Sequence, residues 1–247
     1  MKILVTGGAG FIGSNLCRRL LKDGHEVSMI DNFSTGRRGN IEEIKNDMAV
    51  YEGDINDSGL LRKALEGVRI IFHEAAVPSV ARSVENPMIS NHNNIDGTLN
   101  VLWSAREAGV QRVIFASSSS VYGDTPVLPK QESMSANPLS PYALSKYAGE
   151  AYCRIFSDIY GLETVCLRYF NVFGPWQDPF SDYAAVIPRF LYAMKRGDPP
   201  VIFGDGMQTR DFCYIDNVVE ANVLALSCHR ADGRGLNIGC GEQISLL

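Results

Sequence analysis

Tyr142 and Lys146 are the first residues whose types and spacing suggest chemistry. They stand four apart in Ser140-Pro141-Tyr142-Ala143-Leu144-Ser145-Lys146. Pro141 suits the first position of a helix, and the spacing sets the phenol and the ammonium on one helical face. A nearby ammonium favours the phenolate and lowers the phenol pKa, making the tyrosine usable as a general base. On its own, such a pair reads as a surface feature of a helix. Upstream, Ser117-Ser118-Ser119-Ser120 follow an apolar run that ends at Ala116. That is the carboxyl end of a strand, where open α/β sheets bind ligands.

The second constellation is Thr6-Gly7-Gly8-Ala9-Gly10-Phe11-Ile12-Gly13, directly after the first apolar run. Gly7, Gly10 and Gly13 are spaced for a tight turn that lets backbone approach a pyrophosphate and packs a helix on a strand. The helix N-terminus adds free N–H groups and a favourable dipole. Asp31 follows the second run, where a carboxylate can accept from both ribose hydroxyls of adenosine and repel the extra phosphate of NADP. NAD is the cofactor expected. Asp54 and Ile55, after the third run, stand where an adenine edge could be held. Arg37 and Arg38 read as a solvated loop, Trp103 and Trp176 as packing residues, and His73 as a structural strand end.

These groups need a scaffold, and the apolar runs supply one. Strands are expected at 3–6, 26–30, 49–52, 70–73, 112–116 and 164–168, with helices between them at 12–22, 59–65, 94–107 and 142–159. Continuous apolar strands alternating with helices imply an α/β, doubly wound parallel Rossmann sheet. After Arg168 the rhythm breaks at Phe173-Gly174-Pro175 and Asp198-Pro199-Pro200. An NAD-binding domain over 1–170, with later strand contributions, is therefore expected beside a partial, apparently truncated substrate-binding lobe over 171–247. Residues 236–239 read as a strand, and Ile244, Leu246 and Leu247 as the start of a helix.

The composition is that of a globular protein, with 45% hydrophobic and 21% charged residues. A formal net charge of −5 argues against nucleic acid or an anionic membrane as partner. The six cysteines include no CxxC pair and the four histidines no companion cluster, so no metal site is expected. The first apolar run is too short for a signal peptide or membrane span, which makes a cytoplasmic protein the expectation.

Taken together, Thr6-Gly7-Gly8-Ala9-Gly10-Phe11-Ile12-Gly13, Tyr142-x-x-x-Lys146 and the upstream serines resemble the extended short-chain dehydrogenase/reductases. Within that group, Ser118-Ser119-Ser120-Val121-Tyr122-Gly123, Arg168-Tyr169-Phe170-Asn171-Val172-Phe173-Gly174 and Arg210-Asp211-Phe212 resemble nucleotide-sugar 4-epimerases. Residues 137–188, including Tyr183-Ala184-Ala185-Val186-Ile187-Pro188, look closest to bacterial UDP-N-acetylglucosamine 4-epimerases, with UDP-glucose 4-epimerases near neighbours. The resemblance implies cofactor contacts at Phe11, Ile12, Asp31, Asn32, Asp54, Ile55, Asn93, Tyr142, Lys146 and Phe170, and along 74–78 with Ala75 and Ala76. It implies Ser118 as the catalytic hydroxyl beside Tyr142 and Lys146. It implies UDP contacts at Asn171, Ala185, Val186, a strand over 201–203 with Val201 and Phe203, and Arg210. A guanidinium suits a diphosphate; a salt bridge from Arg210 to Asp205 or Asp211 is the structural alternative.

The implied activity is NAD-dependent 4-epimerisation of a UDP-sugar through a 4-keto intermediate, by a homodimer built on the helices at 94–107 and 142–159. Similar dehydratases and decarboxylases carry acids at positions corresponding to Ser119 or Ser120, where this chain has hydroxyls, which favours epimerisation. A non-catalytic NAD-binding protein is the alternative of another class. The intact Ser118, Tyr142 and Lys146 speak against it, and the stop at Leu247, where the family continues, keeps it open.

Overall fold

A computed structural model describes residues 1–180, 185–202, 204–231 and 233–247. The first strand, β1 (Lys2–Thr6), is apolar on both sides because helices cover both faces of the sheet it joins. It leads through the glycine turn into α1 (Phe11–Lys22), followed by β2 (Glu26–Asp31), β3 (Ala49–Glu52), α2 (Ser58–Ala64) and β4 (Ile70–His73). Short helices α3 (Val80–Glu85) and α4 (Pro87–Ser90) precede α5 (Gly97–Glu107) and β5 (Arg112–Ser118). Then come α6 (Pro141–Tyr160), β6 (Glu163–Tyr169), β7 (Val172–Phe173), α7 (Val186–Arg196), β8 (Cys213–Tyr214), α8 (Ile215–Ala225) and β9 (Arg234–Ile238).

Seven strands form one sheet in the order β3-β2-β1-β4-β5-β6-β9, parallel at every pairing. The chain therefore winds outward from β1 in both directions, the doubly wound arrangement read from the sequence. One face packs Leu16, Cys17 and Leu20 of α1 with Val218 and Val219 of α8. The other packs Leu61 of α2, Val101 and Leu102 of α5, and Cys153 and Phe156 of α6. β7 and β8 form a separate parallel pair at the carboxyl end of the sheet. No helix among the described residues is long and apolar enough to cross a membrane.

Several elements differ from expectation. The helix expected from residue 94 begins as a π turn, Asn91–Asp96, that runs into α5. The wider turn carries Asn94 inward, where its amide accepts from Val77 N–H at 2.8 Å and donates to the Ser145 hydroxyl at 3.0 Å. Such turns gather at functional sites. The helix expected to start near Ile244 is absent. Ile244 instead exchanges backbone hydrogen bonds with Arg210, at 2.9 and 3.0 Å, and Leu246 N–H donates to Gly206 C=O at 3.1 Å. Pairing with a distant backbone satisfies groups that one short turn of helix would leave open. Val201 and Ile202 are not in a strand. Phe203, like Tyr183 and Ala184, lies outside the described residues.

Candidate active site

A crevice of about 680 Å³ opens at the carboxyl ends of β1, β2 and β4. Its floor is the glycine turn, where Gly7 adopts φ +70° and its N–H donates to Ile30 C=O at 2.8 Å. A Cβ on Gly7 would stand 2.7 Å from Ala75 N, and one on Gly13 would collide with Gly7 O. Backbone thus approaches backbone, and the α1 N-terminus faces the opening. Gly7, Gly10, Phe11, Ile12 and Gly13 all line it. So do Asn32, Asp54, Ile55, Ala75, Ala76 and Asn93.

Asp31 also lines the crevice and is held by two backbone donors, Ala9 N–H to Oδ2 at 2.9 Å and Phe33 N–H to Oδ1 at 2.8 Å. Each carboxylate oxygen keeps a free lone pair for a ribose hydroxyl. Burial pushes the Asp31 pKa up, against these two hydrogen bonds. Asn32 donates to Asp54 at 2.8 Å, tying the ends of β2 and β3 together. A glycine cradle that admits a pyrophosphate, with a carboxylate beyond it, fits NAD.

Two residues read as outside the chemistry belong to this rim. Trp176 lines the crevice with the Arg18 guanidinium 4.2 Å over its ring. Arg37 also lines it and pairs with Asp178 at 3.1 Å. Phe170, in contrast, is not on the crevice wall; its ring packs against Gly239 and its N–H donates to Ile238 C=O. His73 is structural: its ring bonds the Thr6 hydroxyl at 2.7 Å and the Thr98 hydroxyl at 3.0 Å.

Tyr142 and Lys146 enter from the first turns of α6, which Ser140 caps by accepting from Ala143 N–H at 3.1 Å. Both line the crevice. The Tyr142 hydroxyl shares a hydrogen bond with Ser118, at the end of β5. Lys146 donates to Ala116 C=O at 2.7 Å, with its ammonium 5.1 Å from the Phe115 ring centroid.

The proton affinities differ from the sequence expectation. Burial pushes the Tyr142 pKa up; the Ser118 hydrogen bond opposes this and the Glu74 charge adds to it. The expected lowering by Lys146 does not prevail, because the phenol is enclosed and its burial is the largest effect. Burial lowers Lys146 to about 8, against the attraction of Glu74. Glu74 is raised to about 7 by burial, against the Tyr169 hydrogen bond and the Lys146 charge.

Behind the pair lies a support that motif reading missed. Glu150 on α6 takes a bidentate grip from Arg168, at 2.8 and 2.7 Å, and accepts from the Ser117 hydroxyl at 2.5 Å. Arg168 also donates to the Tyr122 hydroxyl at 2.7 Å. This network locks α6 to the strand end that bears Ser118. Its signal was available only as a charge in an otherwise apolar run, Arg168 in Cys166-Leu167-Arg168-Tyr169.

A second cavity, of about 260 Å³, adjoins the crevice through Ala185, which lines both. Asn171, Val186 and Arg210 line it as expected of substrate-site residues, and Gln208, Phe212 and Leu246 join them unforeseen. Val201 is 66% exposed and not on its wall. The Asp211 carboxylate is occupied by the N–H groups of Cys240 and Gly241, each at 2.9 Å. No carboxylate among the described residues pairs with Arg210, whose Nη1 donates to the Thr209 carbonyl at 2.8 Å. The Ser120 hydroxyl is buried without a partner among the described residues.

Comparison with known proteins agrees with this geometry. Residues 3–239 match the NAD dependent epimerase/dehydratase family. A putative UDP-glucose 4-epimerase of Methanocaldococcus jannaschii is 42% identical over 247 residues, 99% of this chain and 78% of the relative. A UDP-N-acetyl-alpha-D-glucosaminuronate decarboxylase of Bacillus cytotoxicus is 36% identical, over 99% of this chain and 77% of its own. The crystal structure of a UDP-glucose 4-epimerase from Thermotoga maritima with UDP-glucose superposes with a TM-score of 0.94 at 40% identity, covering 100% of this chain and 79% of that one. A UDP-N-acetylglucosamine 4-epimerase from Methanobrevibacter ruminantium, in complex with UDP-N-acetylmuramic acid, gives 0.93 at 42%, covering 99% and 78%.

Proposed function

Because this chain belongs to the NAD dependent epimerase/dehydratase family, we propose that it inverts carbon 4 of a UDP-linked hexose, glucose or its N-acetylamino counterpart. The observation that carries the reading is that Tyr142 and Lys146 converge from one helix on the crevice wall, in the cavity that Ala185 joins to the one lined by Arg210. Tyr142 takes the proton of the sugar 4-hydroxyl through or beside Ser118, and returns it after the keto sugar has presented its other face. Bound NAD supplies the reversible two-electron oxidation of that carbon. Lys146 keeps a positive charge at the pair while it remains protonated. Arg210 meets the diphosphate, and the apolar side chains of Val186 and Phe212 flank the nucleotide.

Relatives that decarboxylate need another reading excluded. Ser119 and Ser120 offer hydroxyls, not a carboxyl, in the turn that follows β5. An acid there would be the group that moves a proton at carbon 5 or assists loss of carboxylate. Incubating the protein separately with UDP-glucose, UDP-N-acetylglucosamine and UDP-glucuronate, and resolving products by NMR, tests this. A 4-epimer supports the proposal; a 4-keto-6-deoxy sugar or released carbon dioxide overturns it.

The protein is further proposed to work as a cytoplasmic homodimer. Trp103 on α5 and Leu144, Tyr147, Ile155 and Ile159 on α6 are exposed apolar residues on the two helices expected to pair. Sedimentation of the protein at micromolar concentration distinguishes dimer from monomer.

A further inference from the structure

Glu74 follows β4 and borders the crevice with Tyr142, Lys146 and Tyr169. The mechanism above uses it for nothing. Its Oε1 accepts from the Tyr169 hydroxyl at 2.9 Å, and Asn222 on α8 donates to that same hydroxyl at 2.8 Å. The chain Asn222 to Tyr169 to Glu74 spends each hydrogen once and ends on an acceptor. One Glu74 oxygen accepts in this chain whether the carboxyl is charged or neutral, so the chain fixes its place and leaves its charge free to change.

The titratable groups around Glu74 come from each packed element. Lys146 and Tyr142 face it from α6, Tyr169 from β6 and the Cys17 thiol from α1. On β4, neighbouring His73 stays neutral down to about 3, and α8 offers the neutral Asn222. Lys146 is the cation among these groups.

We propose that Glu74 is a positioning residue whose charge sets the protonation of the Tyr142–Lys146 pair, in the reaction proposed above. As a carboxylate it holds Lys146 in the ammonium form and disfavours the Tyr142 phenolate. As a neutral acid it does neither. Glu74 itself changes charge at about 7, so the switch falls where the enzyme would operate, just below the titration of Lys146 at about 8.

The test needs no substrate in its first arm. NMR of protein carrying isotopically labelled lysine, stripped of cofactor, follows Lys146 across pH, the signal being assigned by its loss in Lys146→Arg. Glu74→Gln should lower the Lys146 midpoint by on the order of one pH unit, while Glu74→Asp, which keeps the charge, should leave it within about 0.3 unit. In the second arm, the rising limb of the pH–turnover profile should move to lower pH in Glu74→Gln. A Lys146 midpoint that stays put in Glu74→Gln, or moves equally in Glu74→Asp, overturns the proposal. Should Glu74→Gln not fold, Tyr169→Phe decides: losing the hydrogen bond keeps Glu74 neutral to higher pH, so the Lys146 midpoint must fall, and an unchanged midpoint overturns the proposal. If no UDP-sugar turns over, the proposed reaction fails while the lysine titration still judges Glu74.

Discussion

Acid should destabilise this protein through His73. The ring is 1% exposed, bonded to Thr6 and Thr98, and tilted 5.6 Å from the Phe115 ring. Burial, helped by the Lys146 charge, lowers its pKa from 6.5 to about 3. Between those values the unfolded imidazole holds a proton that the folded one refuses. His73's contribution is therefore fully present above pH 6.5 and is lost as pH falls, at about 1.4 kcal/mol per unit, reaching roughly 5 kcal/mol near pH 3. That is comparable to the whole stability of many domains. Glu74 opposes it. Its pKa is raised from 4.5 to about 7, so its contribution is present below 4.5 and lost as pH rises through 7. Because Glu74 borders the open crevice, its share is the smaller. His73→Gln removes the titrating ring and keeps one amide for the threonine hydroxyls. Any constant cost of the substitution drops out of the pH slope. Guanidinium unfolding from about pH 7.5 to about pH 4.5 should show the variant gaining roughly 2–3 kcal/mol on the wild type. Parallel stability curves would mean that the folded protein protonates His73 normally, and the argument would fall.

Four further outcomes are expected. Asp31→Asn should narrow the preference for NAD over NADP, which about 1–4 kcal/mol of repulsion at the ribose sets at roughly 5- to 1,000-fold; equal affinity of the wild type for both in calorimetry would remove the role given to Asp31. Tyr142→Phe should lose roughly 10²–10⁴-fold in turnover and still bind NAD, and near-normal turnover would point to another base. Arg210→Ala should weaken UDP binding roughly 10- to 100-fold, as expected for a charge-assisted hydrogen bond, with NAD affinity unchanged. Glu150→Ala leaves the buried Arg168 with the Tyr122 hydroxyl alone and should cost about 3–5 kcal/mol in thermal unfolding. Adding Arg168→Met should recover part of that; a double variant no better than the single one would argue against an uncompensated charge.

Why some of this was legible in the residue order and some was not follows from where each constraint acts. The sheet could be read because strands covered on both faces run apolar through consecutive positions, as in Ile70, Ile71 and Phe72, all buried. The glycine turn could be read because steric exclusion acts within a few residues, as the contacts of Gly7 and Gly13 show. Tail residues 244–247 could not, since Ile244 closes its hydrogen bonds on Arg210, a partner set by tertiary placement. α8 likewise gains its place by packing on α1, whereas the strand read at 236–239 is present as β9, beside β6.

The active pair divides along the same line. A spacing of four residues fixes angle on a helix, so it correctly put Tyr142 and Lys146 on one wall. It carries no information about enclosure, and enclosure decides proton affinity. Burial outweighs the ammonium at Tyr142, Lys146 turns to Ala116, and Glu74 reaches Tyr169 across 95 residues of chain. A motif therefore identifies which side chains meet, while the charge each one carries depends on residues that no local pattern names.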